Sequence, residues 1–338
     1  MIEHGRDMFP RERILQEYPD LDPLLNNPII DDEFTRRDKL AIEGKKTFHR
    51  IGQFAVLLVA GSAIFTMAEA LIPQAIPDSF ILRLIAVAAA GLGIVLQLFI
   101  IFTKQKEKWL LNRYASERLR SIKFQAYQVA QTAEDAADLK TQADAFFRRA
   151  VADLDHELNG GIAILRSFRS GEAFIRTKAA KKPQNAELAD HALTAFRELR
   201  IKYQYMFANS EIDRLNQRRR MFNSTQDMVY LAAAALTFLT LGARLYEPLQ
   251  SMIAMGWIEF IIMACFVVGA TESILDYALL EDTNQSRYET YAAQINALLQ
   301  ESKTGKIPLP AVIEEMELIC LDELAQFCAS AQKISYRF

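Results

Sequence analysis

The chain is poor in the residues that build most catalytic and metal sites. It has three cysteines, Cys265, Cys320 and Cys328. One lies in an apolar run and the other two match no zinc spacing, so neither a disulfide framework nor a zinc motif can be assembled. Reduced, buried thiols in a cytoplasmic setting fit this usage. The four histidines, His4, His49, His156 and His191, are scattered. The Asp-Leu-Asp-His-Glu run at His156 lacks converging ligands and reads as a solvated acidic helix face. With only 13 glycines and 10 prolines in 338 residues, a collagen-like or low-complexity chain is excluded. There is no G-x-x-x-x-G-K-[ST], no G-x-G-x-x-G after a strand, no H-E-x-x-H, no nucleophile elbow and no EF-hand loop. No enzyme and no cofactor are therefore expected. No nucleic-acid partner is expected either, since the run Arg218 to Arg220 directly precedes an apolar stretch and reads better as a headgroup anchor.

What the chain does have is apolar length. Hydrophobic residues make up 51% and charged residues 24%, but they are not mixed evenly. Four apolar stretches are each long enough for a bilayer, which needs about 20 residues. The first runs from Ile51 to Pro73, with Glu69 its only charge, and the second from Phe80 to Thr103, with Arg83 near its start. A turn with two prolines joins them. The third runs from Met228 to Tyr246, and the fourth from about Met252 to Leu280, with Glu259 and Glu272 inside it. The expected fold is an all-α membrane protein of two transmembrane helical hairpins, four spans, with long cytoplasmic helices forming a bundle.

The two short turns contain no Lys or Arg, whereas Lys45, Lys46, Arg50, Lys104, Lys106, Lys108 and Arg218 to Arg220 flank the other ends. The positive-inside rule then puts both termini and the middle segment in the cytoplasm. The first 50 residues are polar and offer no cleavable signal. The expected segments are a cytoplasmic 1–50, a hairpin 51–103, a cytoplasmic helical domain 104–227, a second hairpin 228–280 and cytoplasmic helices 281–338.

The two halves repeat one plan. Superposing Pro73 on Pro248 matches Glu69 with Arg244 and brings Arg83 within one residue of Glu259. Ionisable groups at such depth are costly and pair or line water. Glu69, Arg83, Arg244 and Glu259 are thus candidates for one paired cluster, and snorkelling to headgroups accounts for them equally well. Gln97 and Glu272 occupy similar places near the cytoplasmic ends. With Ser62, Thr66, Thr237, Thr240 and Thr271 they could face a water path, although interhelical hydrogen bonding is the default for such groups. Gly91 and Gly93 suggest a close helix contact.

From Lys104 the sequence runs without Pro or Gly to Leu158. Trp109 and Tyr114, beside several basic residues, have the pattern of an interfacial anchor. Thr132 is placed to start a further helix. After Asn159-Gly160-Gly161 comes a basic segment with Arg166, Arg169, Arg176, Lys178, Lys181 and Lys182. An ordinary basic loop is the simpler reading. A patch for an anionic, phosphate-bearing ligand at Arg166, Arg169 and Arg176 is the alternative. A second helical block spans Ala186 to Asp227, and Arg218 to Arg220 before the third run read as headgroup anchors.

The segment Lys106–Gln128, directly after the first hairpin, carries Trp109, Arg113, Glu117 and Arg120 in a spaced W…R…E…R pattern. It resembles the post-membrane helix of the SLATT domains, two-transmembrane effectors of bacterial nucleotide-signalling defence systems, here duplicated to four spans. The segment from Glu211 to Ala243 is similar to the lead-in helix and first span of the same group, whereas Asn284 or Gln285 stands where a second Trp109 would be. The resemblance implies an inner-membrane, homo-oligomeric effector that responds to a cytoplasmic nucleotide or protein activator by permeabilising the bilayer. Path-lining roles then fall to Glu272, Gln97 and the outer charge cluster. A non-conducting scaffold for cytoplasmic partners, or a small ion channel or transporter, is the competing class.

Overall fold

The computed structural model describes residues 7–9, 16–72, 80–176, 182–245, 255–279, 281–304, 307–334 and 336. Among them every regular element is helical. The long helices are α1 (Pro28–Leu71), α2 (Phe80–Phe102), α3 (Gln105–Gln125), α4 (Ala136–Leu158), α5 (Ala186–Phe196), α6 (Tyr203–Leu245), α7 (Met255–Leu279), α8 (Glu281–Lys303) and α9 (Leu309–Ala331). A π-helical stretch, Arg197–Lys202, joins α5 to α6. The helices fall into two compact units. A charged unit comprises Met1–Gly44, Glu107–Leu215 and Asp282–Lys333. An apolar unit comprises Lys45–Lys106, Asn216–Glu281 and Ile334–Phe338. Helices α1 and α6 each contribute residues to both units.

In the apolar unit, α1, α2 and the stretch Gly256–Leu275 of α7 are long and apolar enough to cross a membrane. Asp227–Leu241 in α6 is a shorter apolar stretch. Both proline turns (73–79 and 246–254) lie outside the described residues. The helices of this unit meet at small residues. Gly93 of α2 sits on Ala55 and Val59 of α1, where an added Cβ would press on the Ala55 carbonyl and the Val59 side chain. One turn-pair away, Ser62 Oγ donates to Ala86 O across the same contact at 2.9 Å. Gly256 of α7 lies against the Leu71 carbonyl of α1, far inside the distance a Cβ could tolerate, and Gly269 of α7 lies under the Tyr230 ring of α6. Gly91, in contrast, has nothing within 4 Å, so the expected close contact belongs to Gly93 alone.

Interhelical hydroxyl bonding, the default expected for five Ser and Thr residues, is found only for Ser62. Thr66, Thr237, Thr240 and Thr271 each donate to the carbonyl four residues back in their own helix. The hydroxyl is satisfied locally before a neighbour is needed.

The charged unit is a helical assembly around α3. From Tyr114 onward almost every residue of α3 is buried, polar ones included. Phe124 stacks on Tyr127 at 5.8 Å, and Phe196 meets both edge-on. The expectation that Trp109 and Tyr114 anchor at an interface is overturned here. Trp109 is buried against Phe327 and packs its backbone on Gly44. Tyr114 is buried on Phe168, with its hydroxyl donated to Glu157. Aromatic area is worth more in a close-packed interior with a partner for the polar tip than at a rim.

The long run from Lys104 is also divided. Lys104 takes a left-handed conformation (φ 51°), which ends α2 and turns the chain into α3. A 3₁₀ segment, Ala126–Gln131, ends α3. Asp135, rather than Thr132, caps the next helix by accepting from Ala137 N and Asp138 N. Thr132 instead donates to Gln142 Oε1 and to Val129 O.

Candidate functional site

The strongest candidate is a buried network of charge in the charged unit. It is assembled from α3, the π-helical turn, α6, α8, α9 and the short segment at Asp7. The π-turn widens the helix so that Arg200 faces inward, leaving it 2% exposed. Its guanidinium clasps Glu317 of α9 in a two-pronged pair, Nε to Oε1 at 2.7 Å and Nη2 to Oε2 at 2.9 Å. The same guanidinium lies 4.7 Å from the Phe124 ring centroid and reaches Asp7 Oδ2 at 3.4 Å. Asp7 also accepts from Gln204 Nε2 at 3.0 Å, and Gln204 Oε1 accepts from the Tyr291 hydroxyl at 3.1 Å. The chain of bonds ends at Cys320 Sγ, 3.2 Å from that hydroxyl.

The second half of the network is on α3. Arg120 Nη1 donates to both oxygens of Glu117, at 3.0 and 2.8 Å, and its Nε lies 3.4 Å from Asp7 Oδ2. Arg113 pairs with Glu117 from the other side, at 2.5 Å. On α8, Arg287 pairs with Glu323 of α9 at 3.0 Å between the rings of Tyr288 and Phe327. Part of the network walls a small cavity of about 30 Å³, whose lining includes Arg113, Arg120, Tyr288 and Glu323. That is room for roughly two water molecules. Arg120 Nη2 and Asp7 Oδ1 are buried without a hydrogen-bond partner.

Burial decides the titration of this network. It pushes the Glu317 carboxyl above the ordinary carboxylate range, against the pull of Arg200. Glu323 is raised for the same reason, against Arg287. The Cys320 thiol is pushed up to about 12 by burial, so it is a packed thiol and not a nucleophile. Lys123, one turn beyond Arg120, is pulled down by burial while its ammonium donates to Met8 O, Leu25 O and Asp31 Oδ1 at 2.6 to 2.9 Å. All three of its protons are spent on pinning Met8, Leu25 and the first turn of α1.

Of the residues singled out from sequence, Arg113, Glu117 and Arg120 come together here, with Trp109 one turn before them. Glu69 and Arg83 are joined in an ion pair between α1 and α2. Glu259 lies in the first turns of α7, and the Arg244 side chain is outside the described residues. Gln97 Nε2 and Glu272 Oε2 are both buried and lack a hydrogen-bond partner. Arg166 is exposed, Arg169 donates to Phe168 O, and Arg176 pairs with Glu314 at 3.3 Å. Lys178 and Lys181 lie outside the described residues. Among the described residues no group of three His, Cys, Asp or Glu side chains could hold a metal ion.

Sequence reasoning passed over Asp7, Lys123, Arg200, Tyr291 and Glu317. Two of them carried a signal. Glu317 falls on the apolar stripe Ile313, Met316, Cys320, Leu321, Leu324, and Arg200 falls on the stripe Phe196, Leu199, Tyr203, Phe207. A lone charge on a helical apolar stripe is a buried charge in search of its opposite.

No protein-family model, no curated protein and no solved structure matches the chain.

Proposed function

We propose that the chain is a bacterial inner-membrane effector that permeabilises the membrane after a cytoplasmic cue, in antiviral defence or a stress response. One observation carries the membrane part of the reading. The helices of the apolar unit turn large apolar side chains outward, with Phe80 76%, Leu231 73% and Phe238 81% exposed. Apolar surface of that extent is stable only against lipid or another protein. Hydrocarbon, in turn, admits helices whose backbone bonds close internally.

The reading has four spans, supplied by α1 from Ile51, α2, the second part of α6, and α7. Residues 227–245 of α6 would rise by roughly 28 Å, close to the hydrocarbon thickness. Both termini and the charged unit lie on the cytoplasmic side in this reading, as the flanking lysines and arginines favour. The resemblance of Trp109, Arg113, Glu117 and Arg120 to the SLATT pattern supports the effector role, and the helix bearing them walls the buried cavity. Glu272 and Gln97 are the path-lining residues in this reading, since unpartnered polar atoms in a span gain most from water. The active form is a homo-oligomer, and the activator is a nucleotide or protein.

The test is membrane potential and dye uptake in cells on induced expression. Depolarisation that Glu272→Leu abolishes is expected. Full depolarisation with Glu272→Leu, at equal membrane abundance, would remove Glu272 from the path. No depolarisation from any variant at high expression would count against permeabilisation itself.

A further inference from the structure

Beyond α9 two described residues make contacts that no role above uses. Ile334 and Tyr336 belong to the apolar unit and are buried there, each 6% exposed. The Tyr336 ring lies over Gly52 of α1, so closely that a Cβ on that glycine would overlap the ring atoms. It packs at 5.4 Å from the Phe48 ring and stands edge-on to His49 at 6.0 Å. Its hydroxyl and His49 Nδ1 share a hydrogen bond of 2.6 Å. Two residues earlier, Ile334 O accepts from Lys106 Nζ at 2.6 Å. The partners therefore come from the start of the first apolar run and from just beyond the end of the second.

We infer that Phe48, His49, Gly52 and Lys106 form a docking groove for Ile334 and Tyr336, and that the filled groove is the restrained state of the α1–α2 hairpin. Three features support this. The groove is selective: an aromatic ring fits only because position 52 lacks a Cβ, and the hydroxyl finds a ring nitrogen at the far end. Both the Tyr336 ring and the Ile334 carbonyl lie beyond the last turn of α9, so they can be released without unravelling a helix. Ile334 also follows α9 after only two residues. That helix carries Glu317, Cys320 and Glu323 of the charge network, so the chain offers a short covalent path from that network to the plug. Undocking would release α1 at Phe48 to Gly52 and the start of α3 at Lys106, two residues after the break at Lys104. The gating role rests on the permeabilising function proposed above, but the docking itself does not.

The glycine makes a test with a definite sign. Gly52→Ala in a helix interior is ordinarily favourable, yet here it must expel Tyr336. The intact chain in lipid nanodiscs is followed by hydrogen exchange over 334–338, and ion leak is measured in vesicles of the same lipid. Gly52→Ala is expected to speed exchange by about tenfold or more and to raise leak, as is Tyr336→Ala. In the Tyr336→Ala background, Gly52→Ala is expected to add less than about twofold to either. Tyr336→Phe, which loses only the bond to His49, is expected to fall between.

Wild-type exchange in Gly52→Ala, or independent effects of the two changes, would overturn the docking groove. Coupled exchange with leak unchanged from a measurable wild-type value would overturn the restraint. Coupled exchange with no leak from any protein would uphold the groove and count against permeabilisation instead.

Discussion

Arg200 and Glu317 satisfy each other in the interior, and either left alone would be a bare charge there. Removing one partner of such a pair leaves a desolvated ion, a cost of about 3–5 kcal/mol. Glu317→Ala should therefore lower stability by about that amount in denaturant unfolding followed by Trp109 fluorescence, whereas Arg200→Met with Glu317→Leu should recover most of it. The same burial sets a pH dependence. The folded carboxyls of Glu317 and Glu323 hold their protons more tightly than the ordinary value of 4.5 allows. The folded state then binds more protons than the unfolded one between that value and the raised folded values. The stabilisation is complete below the unfolded value and is lost as pH rises through the folded ones. The unfolding midpoint should thus fall as pH is raised above the ordinary carboxylate value, and Glu323→Gln should flatten the slope. A midpoint that rises over this range would contradict the burial argument. None of this network was foreseen as a network. Arg200 and Glu317 each read singly as a charge on an apolar stripe, and only the fold brings the two together from 117 residues apart.

Helices were legible where one physical demand dominates. A span needs about 20 apolar residues, and that demand is written plainly in α1, α2 and α7. Ends were less legible. Asp135 caps α4 although Thr132 offered the same chemistry, because the 3₁₀ segment after α3 consumes Thr132. The break at Lys104 carries no Gly or Pro to announce it. Its left-handed backbone costs a side-chain-bearing residue about 1 kcal/mol, so Lys104→Gly should raise thermal stability by up to about that much. Helix contacts give an opposed pair of glycines. Gly256→Ala should be destabilising, because its Cβ would meet the Leu71 carbonyl, a backbone atom that cannot swing aside. Gly91→Ala should be neutral or gain up to about 1 kcal/mol from helix propensity, since nothing stands near it. Thermal unfolding of the two variants in one detergent compares them directly.

At the scale of the molecule, two kinds of surface are joined in one chain. One unit closes a network of charges inside and leaves few large apolar side chains exposed. The other shows apolar side chains outward and keeps two polar atoms, on Gln97 and Glu272, inside without partners. That division follows from the composition: the lysines and arginines crowd the ends of the apolar runs and the helices between them. What composition could not supply is which polar groups in the spans are spent on structure. Glu69 and Arg83 are spent on each other, and the threonines on their own helices. Glu272 is not, so Glu272→Leu should leave thermal stability unchanged or raise it while removing conduction. Purified protein in planar bilayers tests the central claim most directly. The account predicts ionic current steps that Glu272→Leu abolishes in a protein that still folds. Bilayers that stay silent with folded wild-type protein, in the presence of Tyr336→Ala as well, would contradict it.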